Sequence, residues 1–215
     1  MGQLRLAELW RYPVKSMAGE RLEVAAVSSD GIAGDRVVQV RDGRGRTLTS
    51  RTHPRLLGLT GRLGADGQPT VNGCAWRSKD AAAMVRAAAG DDASLLRDDS
   101  LDRFDVLPLS VLTDGAVGAL GVDRRRLRPN ILIAGADGLT EREWSGHRLR
   151  LGDVIIGVKK LCGRCVMTTY DPDTQEQDLS VLKRIVDDFG GRMALDCYVI
   201  QGGRLAVDDP VELLE

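Results

Sequence analysis

The feature that most limits the folds open to this chain is that its β-type runs are short and repeatedly interrupted. Leu4 to Tyr12, Leu22 to Val27, Arg36 to Val40 and Leu56 to Leu63 read as strands, each bounded by a break containing Gly, Asp or Pro. Asp42-Gly43 and Asp66-Gly67 are turn signals, and the first closes a hairpin. Ser78 is placed to cap a helix through the Ala-rich stretch to about Ala89, with Gly90 as its terminator. Further on, Thr113 to Leu120 reads as a short helix ended by Gly121, and Ile131 to Ala134 as a strand. Leu149 to Val158 reads as a strand pair turning at Gly152-Asp153. Leu179, Leu182, Val186 and Phe189 define one apolar helix face, stopped by Gly190-Gly191. Ala194 to Gln201 and Val207 to Leu214 read as closing strands. Many short strands with two or three helices imply a β-rich α+β chain with a barrel-like core.

Composition narrows the function. With 43% hydrophobic and 28% charged residues over 215 positions, a packed core is expected and disorder is not. A net charge of −1 argues against bulk binding to nucleic acid or an anionic membrane. Arg far outnumbers Lys, so any basic site can grip oxyanions bidentately. No apolar run approaches the roughly 20 residues of a spanning helix, and no signal-peptide succession opens the chain, so a cytoplasmic protein is expected. The four Cys are too few for a disulfide scaffold in a chain this long, so reduced thiols are expected. No Gly-x-Gly-x-x-Gly follows a strand to open a helix, and no iron–sulfur ligand set is present.

The sharpest local signal is Leu161-Cys162-Gly163-Arg164-Cys165-Val166-Met167-Thr168-Thr169-Tyr170-Asp171-Pro172-Asp173-Thr174. A C-x-x-C pair has several readings. Structural zinc needs two more ligands, and Cys74, Cys197, His53 and His147 are scattered singly. A thioredoxin-type pair should open a helix, whereas Val166 to Tyr170 is β-prone. Two buried Cys in a strand is the plain alternative. A soft-metal thiolate is the fourth, with Arg164 beside Cys165 to lower the thiol pKa and attract an anionic cofactor.

This segment resembles the cofactor-binding segment of MOSC-domain proteins, the molybdenum cofactor sulfurase C-terminal domain family. Within it the chain is most similar to the group of the mitochondrial amidoxime-reducing component and its bacterial relatives. Tyr12-Pro13-Val14-Lys15-Ser16, Gly34-Asp35-Arg36 and Arg128-Pro129-Asn130 carry the same resemblance in the family's order. Ser50 to Leu56 resembles a segment near the family's pocket. The resemblance implies that Cys165 binds molybdenum, with Cys162 a neighbour. It also implies that Lys15, Ser16, Arg36, Arg128 and Asn130, with Gly163 and Arg164 of the motif, contact a molybdopterin cofactor, and that Arg51 walls the pocket. The physical chemistry agrees: a buried phosphate needs charge-assisted donors such as Lys15, Arg36 and Arg128, and a pterin edge needs polar groups such as Asn130 and Ser16.

The implied architecture is an N-terminal β-barrel-like lobe at 1–85 packed on a MOSC β-barrel at 86–215, with peripheral helices. The implied activity is reduction of N-hydroxylated compounds with electrons from a separate haem, flavin or iron–sulfur protein. The alternatives are a sulfur carrier holding a persulfide on Cys165 or Cys162, and a non-catalytic carrier of the cofactor. Arg124-Arg125-Arg126 is either a solvated helix end or a dock for an acidic donor protein. Trp144 resembles a family Trp or packs at the barrel edge, and His147 reads as a loop residue. Two departures stand out. Val106-Leu107 replaces polar residues before Pro108, so side-chain contacts there are lost. Gln175 stands where the family has Gly, which predicts an altered turn.

Overall fold

The computed structural model describes residues 3–214. In chain order the first strands are β1 (Arg5–Arg11), β2 (Glu20–Leu22), β3 (Val24–Ser28), β4 (Gly31–Ile32), β5 (Val38–Arg41) and β6 (Thr47–Leu48). Next come β7 (Gly61–Leu63), β8 (Pro69–Val71), β9 (Cys74–Ala75), helix α1 (Lys79–Ala89) and β10 (Ser94–Arg97). The remainder is β11 (Leu109–Thr113), α2 (Asp114–Leu120), β12 (Ile131–Ala134), β13 (Arg148–Leu151), β14 (Val154–Gly163), α3 (Leu179–Phe189), β15 (Arg192–Gln201), β16 (Gly203–Ala206) and β17 (Val211–Leu214).

Eight strands form one sheet in the order β17-β13-β14-β15-β11-β12-β1-β2. It curls on itself, because Leu6 N donates to Asp209 O at 2.9 Å and Val211 N to Leu4 O at 2.9 Å. The chain leading into β17 therefore returns to β1, and the expected barrel is formed. Its interior holds Leu6, Leu9, Val111, Ile133, Leu149, Ile156 and Leu195, all at 0% exposure, together with Trp144 and Cys197. Each such aliphatic side chain contributes about 1.5–3 kcal/mol by leaving water. The helices α2 and α3 pack outside the barrel through Ala116, Leu120, Val181, Ile185 and Phe189.

A second core gathers Val14, Met17, Val38, Val40, Leu56, Val71, Val85 and Ala89 around the small sheets β10-β5-β6 and β7-β8-β9. This is the N-terminal lobe, but it is not one stretch of chain. β1 pairs with β12 in the barrel, with Leu9 opposite Ile131, while Ala25, Val27 and Ile32 of β3 and β4 also enter the barrel core. The expected limit at residue 85 falls inside α1, and β10 pairs with β5. The chain thus passes between lobes several times, at residues 12–17, 33–37 and 104–108.

Several local expectations need correction. Leu22 to Val27 is two strands broken at Glu23, and they lie in different sheets. Leu56 to Leu63 is not one strand, because Pro54 opens a 3-10 turn over Pro54–Gly58 and only Gly61–Leu63 pairs. The buried face of α3 is Val181, Ile185 and Phe189, while Leu179 and Val186 are 62% and 53% exposed. The helix carries two overlapping apolar rows, and packing against Leu112 and Leu120 chose the other one. Val166–Thr169 is a 3-10 turn and not β structure. The caps behave as expected: Ser78 accepts from Ala81 N at 3.1 Å, and Gly121 and Gly190 end α2 and α3 in left-handed backbone. No helix among the described residues is long and apolar enough to cross a membrane.

Candidate functional site

The crossings between lobes converge on a cleft of about 170 Å³. Lys15 and Ser16 reach it from the first crossing, Arg36 from the second, and Asp105, Val106 and Leu107 from the third. Arg51 follows β6. Arg128 and Asn130 precede β12, Gly163 ends β14, and Arg164 and Cys165 follow it. All nine residues singled out from sequence line this one space. Three of them, Ser16, Arg36 and Arg128, adopt left-handed backbone at φ of 72°, 56° and 51°. Non-glycine residues avoid that region, so its use here marks backbone that tertiary contacts hold against its local preference.

The organiser is Asp35, which is fully buried. Its carboxylate accepts from Tyr12 N at 2.7 Å and Asn130 Nδ2 at 3.1 Å, and pairs with Arg36. It therefore ties both lobes together under the cleft. Asn130 is saturated. Its Nδ2 donates to Trp10 O at 3.2 Å and to Asp35, while its Oδ1 accepts from Ser110 N at 3.2 Å and Arg36 Nη1 at 3.4 Å. Those four bonds use the whole capacity of a side-chain amide, so Asn130 shapes the cleft and has no donor left over for a pterin edge. Arg103, 4% exposed, donates to the carbonyls of Asp30, Asp35, Asp99 and Ser100 and so fixes the third crossing.

The electrostatics are strongly cationic. Asp105 bridges Lys15 Nζ at 2.8 Å and Arg51 Nη2 at 2.7 Å. Burial raises the Asp105 carboxyl, but Lys15, Arg51 and Arg36 outweigh it and hold it below its usual range. Burial pushes the Arg128 guanidinium down to about 10, with Arg36 adding repulsion. Arg128 lies 4.3 Å over the Tyr12 ring, and among the described residues no carboxylate pairs with it. A half-buried cation with no carboxylate in ion-pair contact favours an incoming anion.

Cys165 is half-buried and sits at the start of the 3-10 turn, where Thr168 N donates to its carbonyl at 3.0 Å. The guanidinium beside its thiol is that of Arg51: burial lowers the Arg51 pKa, but Asp105 and Cys165 outweigh it and raise it. Arg164 turns the other way. Its Nη1 donates to Cys162 Sγ at 3.1 Å and its Nη2 to Leu127 O at 2.6 Å. Burial pushes the Cys162 thiol up despite Arg164, with Asp196 adding to the rise. The expected partnership of Arg164 with the Cys165 thiol is therefore corrected to Arg51 with Cys165.

The remaining marks resolve plainly. Arg124 pairs with Glu8, Arg125 with Asp123 and Asp173, and Arg126 with Asp171, so the basic run is spent on internal ion pairs. Trp144 is 5% exposed in the barrel core, and His147 follows the turn that leads into β13. Gln175 holds φ at 59°, so the turn keeps a left-handed residue where Gly would adopt it freely. Sequence reasoning missed Asp35, Arg103, Asp105, Ser110 and Asp196 as parts of this site. Only Asp35 carried a signal, as the neighbour of Arg36 in a quoted motif.

Two tests bear on what the cleft holds. Among the described residues no group of three His, Cys, Asp or Glu is placed to share a metal, so a metal here needs ligands from another molecule. Among the described residues six buried side-chain polar atoms lack partners, and three of them, Ser110 Oγ, Arg164 Nε and Asp196 Oδ2, belong to residues lining this cleft. Buried polar groups are almost always satisfied, so such a cluster fits a polar ligand with both donors and acceptors. One soft thiolate, several cations and these unpartnered atoms suit a cofactor that carries its own sulfur ligands and a phosphate.

Known proteins agree with this architecture. The model of the MOSC N-terminal beta barrel domain matches residues 3–104, and that of the MOSC domain matches 109–212. Mitochondrial amidoxime-reducing component 1 of Homo sapiens is 26% identical across 97% of this chain and 82% of its own length. The molybdenum cofactor sulfurase of Bombyx mori is 32% identical over 39% of this chain and 10% of its own length. The crystal structure of the YUAD protein from Bacillus subtilis superposes with a TM-score of 0.54 at 13% identity, covering 98% of this chain and 95% of that one.

Proposed function

Since the chain belongs to the MOSC-domain family, we propose that it binds a molybdenum cofactor in the cleft at Cys165 and reduces N-hydroxylated compounds. The observation that carries this reading is the coincidence of the half-buried Cys165 thiol, the unpaired Arg128 and three unpartnered polar atoms in one cleft. When bound, the cofactor supplies the two-electron couple by which oxygen leaves nitrogen as water. The chain supplies the rest. Cys165 is the single protein ligand, a soft thiolate suited to a heavier redox metal. Arg51 stands beside it and places a positive charge against the thiol. Lys15, Arg36 and Arg128 hold the anionic end. Asp35 keeps the Arg36 guanidinium aimed, and Asn130 keeps the two lobes in register beneath it. Electrons come from a separate donor protein, because no iron–sulfur or dinucleotide motif stands in the sequence. On this reading the limit between the lobes lies in the linker 105–108, a choice supported by the extents of the two matched models.

The test is metal analysis of protein made in a molybdenum-replete host, followed by turnover of benzamidoxime. Wild type should carry molybdenum, Cys165→Ala should lose it, and Cys162→Ala should keep most of it. Turnover should proceed with a reduced one-electron dye and not with NADPH alone. Sulfane sulfur on Cys165 without molybdenum would make the chain a sulfur carrier instead. Bound molybdenum without turnover by any reductant would make it a cofactor carrier. Equal molybdenum in the Cys165→Ala protein would overturn the ligand assignment.

A further inference from the structure

A second cleft, of about 610 Å³, lies between the lobes and is not explained by the site above. It shares Arg126, Arg128 and Met167 with the Cys165 cleft and is otherwise walled by different residues. Its size falls in the range of small-molecule sites. Its charge is one-sided. Glu20 is already paired with Arg11 at 2.8 Å, and Asp173 with Arg125 at 2.7 Å. Arg126 is paired with Asp171 at 2.9 Å. With Arg128 assigned to the cofactor's anionic end, that leaves the exposed Arg21 and Arg62 on its wall, and among the described residues no carboxylate stands within ion-pairing distance of either.

Flat surfaces accompany these cations. Trp10, Tyr12 and Tyr170 line the cleft, and Trp10 stacks on Tyr12 at 6.5 Å between ring centroids. Tyr12 is 4% exposed with Arg128 over its ring, so the half-buried Trp10 and Tyr170 supply the accessible aromatic surface, and beside unpaired guanidinium groups they suit a planar ring that carries negative charge. Met167, two residues beyond Cys165, lines both clefts, and its unbranched thioether can repack around a bound molecule.

We infer that the second cleft binds a planar aromatic anion. Taken together with the proposed chemistry at Cys165, on which this step rests, the anion is the body of the N-hydroxylated substrate. The protein then favours anionic aromatic substrates over neutral ones, and Arg21 and Arg62 set that preference from outside the cofactor site.

The test is equilibrium binding of 4-carboxybenzamidoxime and of uncharged benzamidoxime to the purified protein, followed by calorimetry. At low salt the carboxylate should bind about tenfold tighter, with the advantage shrinking as salt is raised. The Arg21→Gln/Arg62→Gln variant should bring the two probes to within about twofold by weakening the carboxylate. Equal affinities in wild type would overturn the inference. So would a preference that survives in the double variant but disappears in Arg36→Gln, because the anion would then be held in the Cys165 cleft. Binding requires no turnover, so this outcome is independent of the molybdenum analysis that tests the chemistry itself.

Discussion

Replacing Asp35 by Ala tests whether one carboxylate holds the site together. Asp35 has no solvent exposure and accepts from Tyr12 N and Asn130 Nδ2 while pairing with Arg36, whose side chain is 17% exposed. Ala leaves two buried donors without acceptors, each costing about 1–3 kcal/mol. It also leaves Arg36 without its counterion, and breaking a buried pair from one side costs about 3–5 kcal/mol. These losses overlap, and the residual exposure of Arg36 places the whole at about 3–4 kcal/mol, from the lower part of that range. For a chain of this length that lowers the midpoint of thermal unfolding by on the order of 10 °C. Asp35→Asn recovers little, because its amide nitrogen would face the Asn130 amide and the Arg36 guanidinium, donor against donor. The double change Asp35→Leu/Arg36→Met should recover the ion-pair part of the loss, since it removes both charges together, and not the part owed to the Tyr12 and Asn130 donors. Urea unfolding of the three variants measures this. A loss below about 1 kcal/mol for Asp35→Ala would refute the argument that this carboxylate clamps the lobes.

Two further outcomes follow from packing and charge. Ile185→Ala should cost about 2–5 kcal/mol in urea unfolding, while Val186→Ala should stay within about 0.5 kcal/mol, and the reverse order would restore the helix face read from sequence. Burial raises the Glu8 carboxyl, but its bonds to Arg124 and Trp10 prevail and hold it below its ordinary value. A carboxyl depressed in the folded state contributes stability that is present above its unfolded pKa of about 4.3 and is lost as pH falls through the folded value. The urea midpoint should therefore drop between pH 6 and pH 3 by more in wild type than in Glu8→Gln, and equal drops would remove Glu8 from the account.

How much could be read from the chain alone depended on how local the deciding interaction was. The helix caps at Ser78, Gly121 and Gly190, the hairpin at Asp42-Gly43 and the strand at Ile131 to Ala134 were legible because their determinants lie within a few residues. That the nine candidate residues share one cleft was legible only because motifs quoted in order resembled a known family; singly, each was an ordinary residue. What sequence could not decide were choices between near-equal local options. α3 has two apolar rows, and only contact with Leu112 and Leu120 selects Val181, Ile185 and Phe189. Arg164 adjoins Cys165 along the chain, yet its guanidinium turns to Cys162 and to the Leu127 carbonyl, and Arg51 arrives from over a hundred residues away to take its place. Arg124 to Arg126 read as a free basic run until Glu8, Asp171 and Asp173 were folded onto it. Asp35 and Asn130 became the joint of the molecule only when residues 95 positions apart were brought within 3.1 Å. The sequence by itself determined turns, caps and the kind of chemistry available. The tertiary structure decided which charges are paired and which remain open, because pairing depends on distances that the chain creates only by crossing repeatedly between its two lobes.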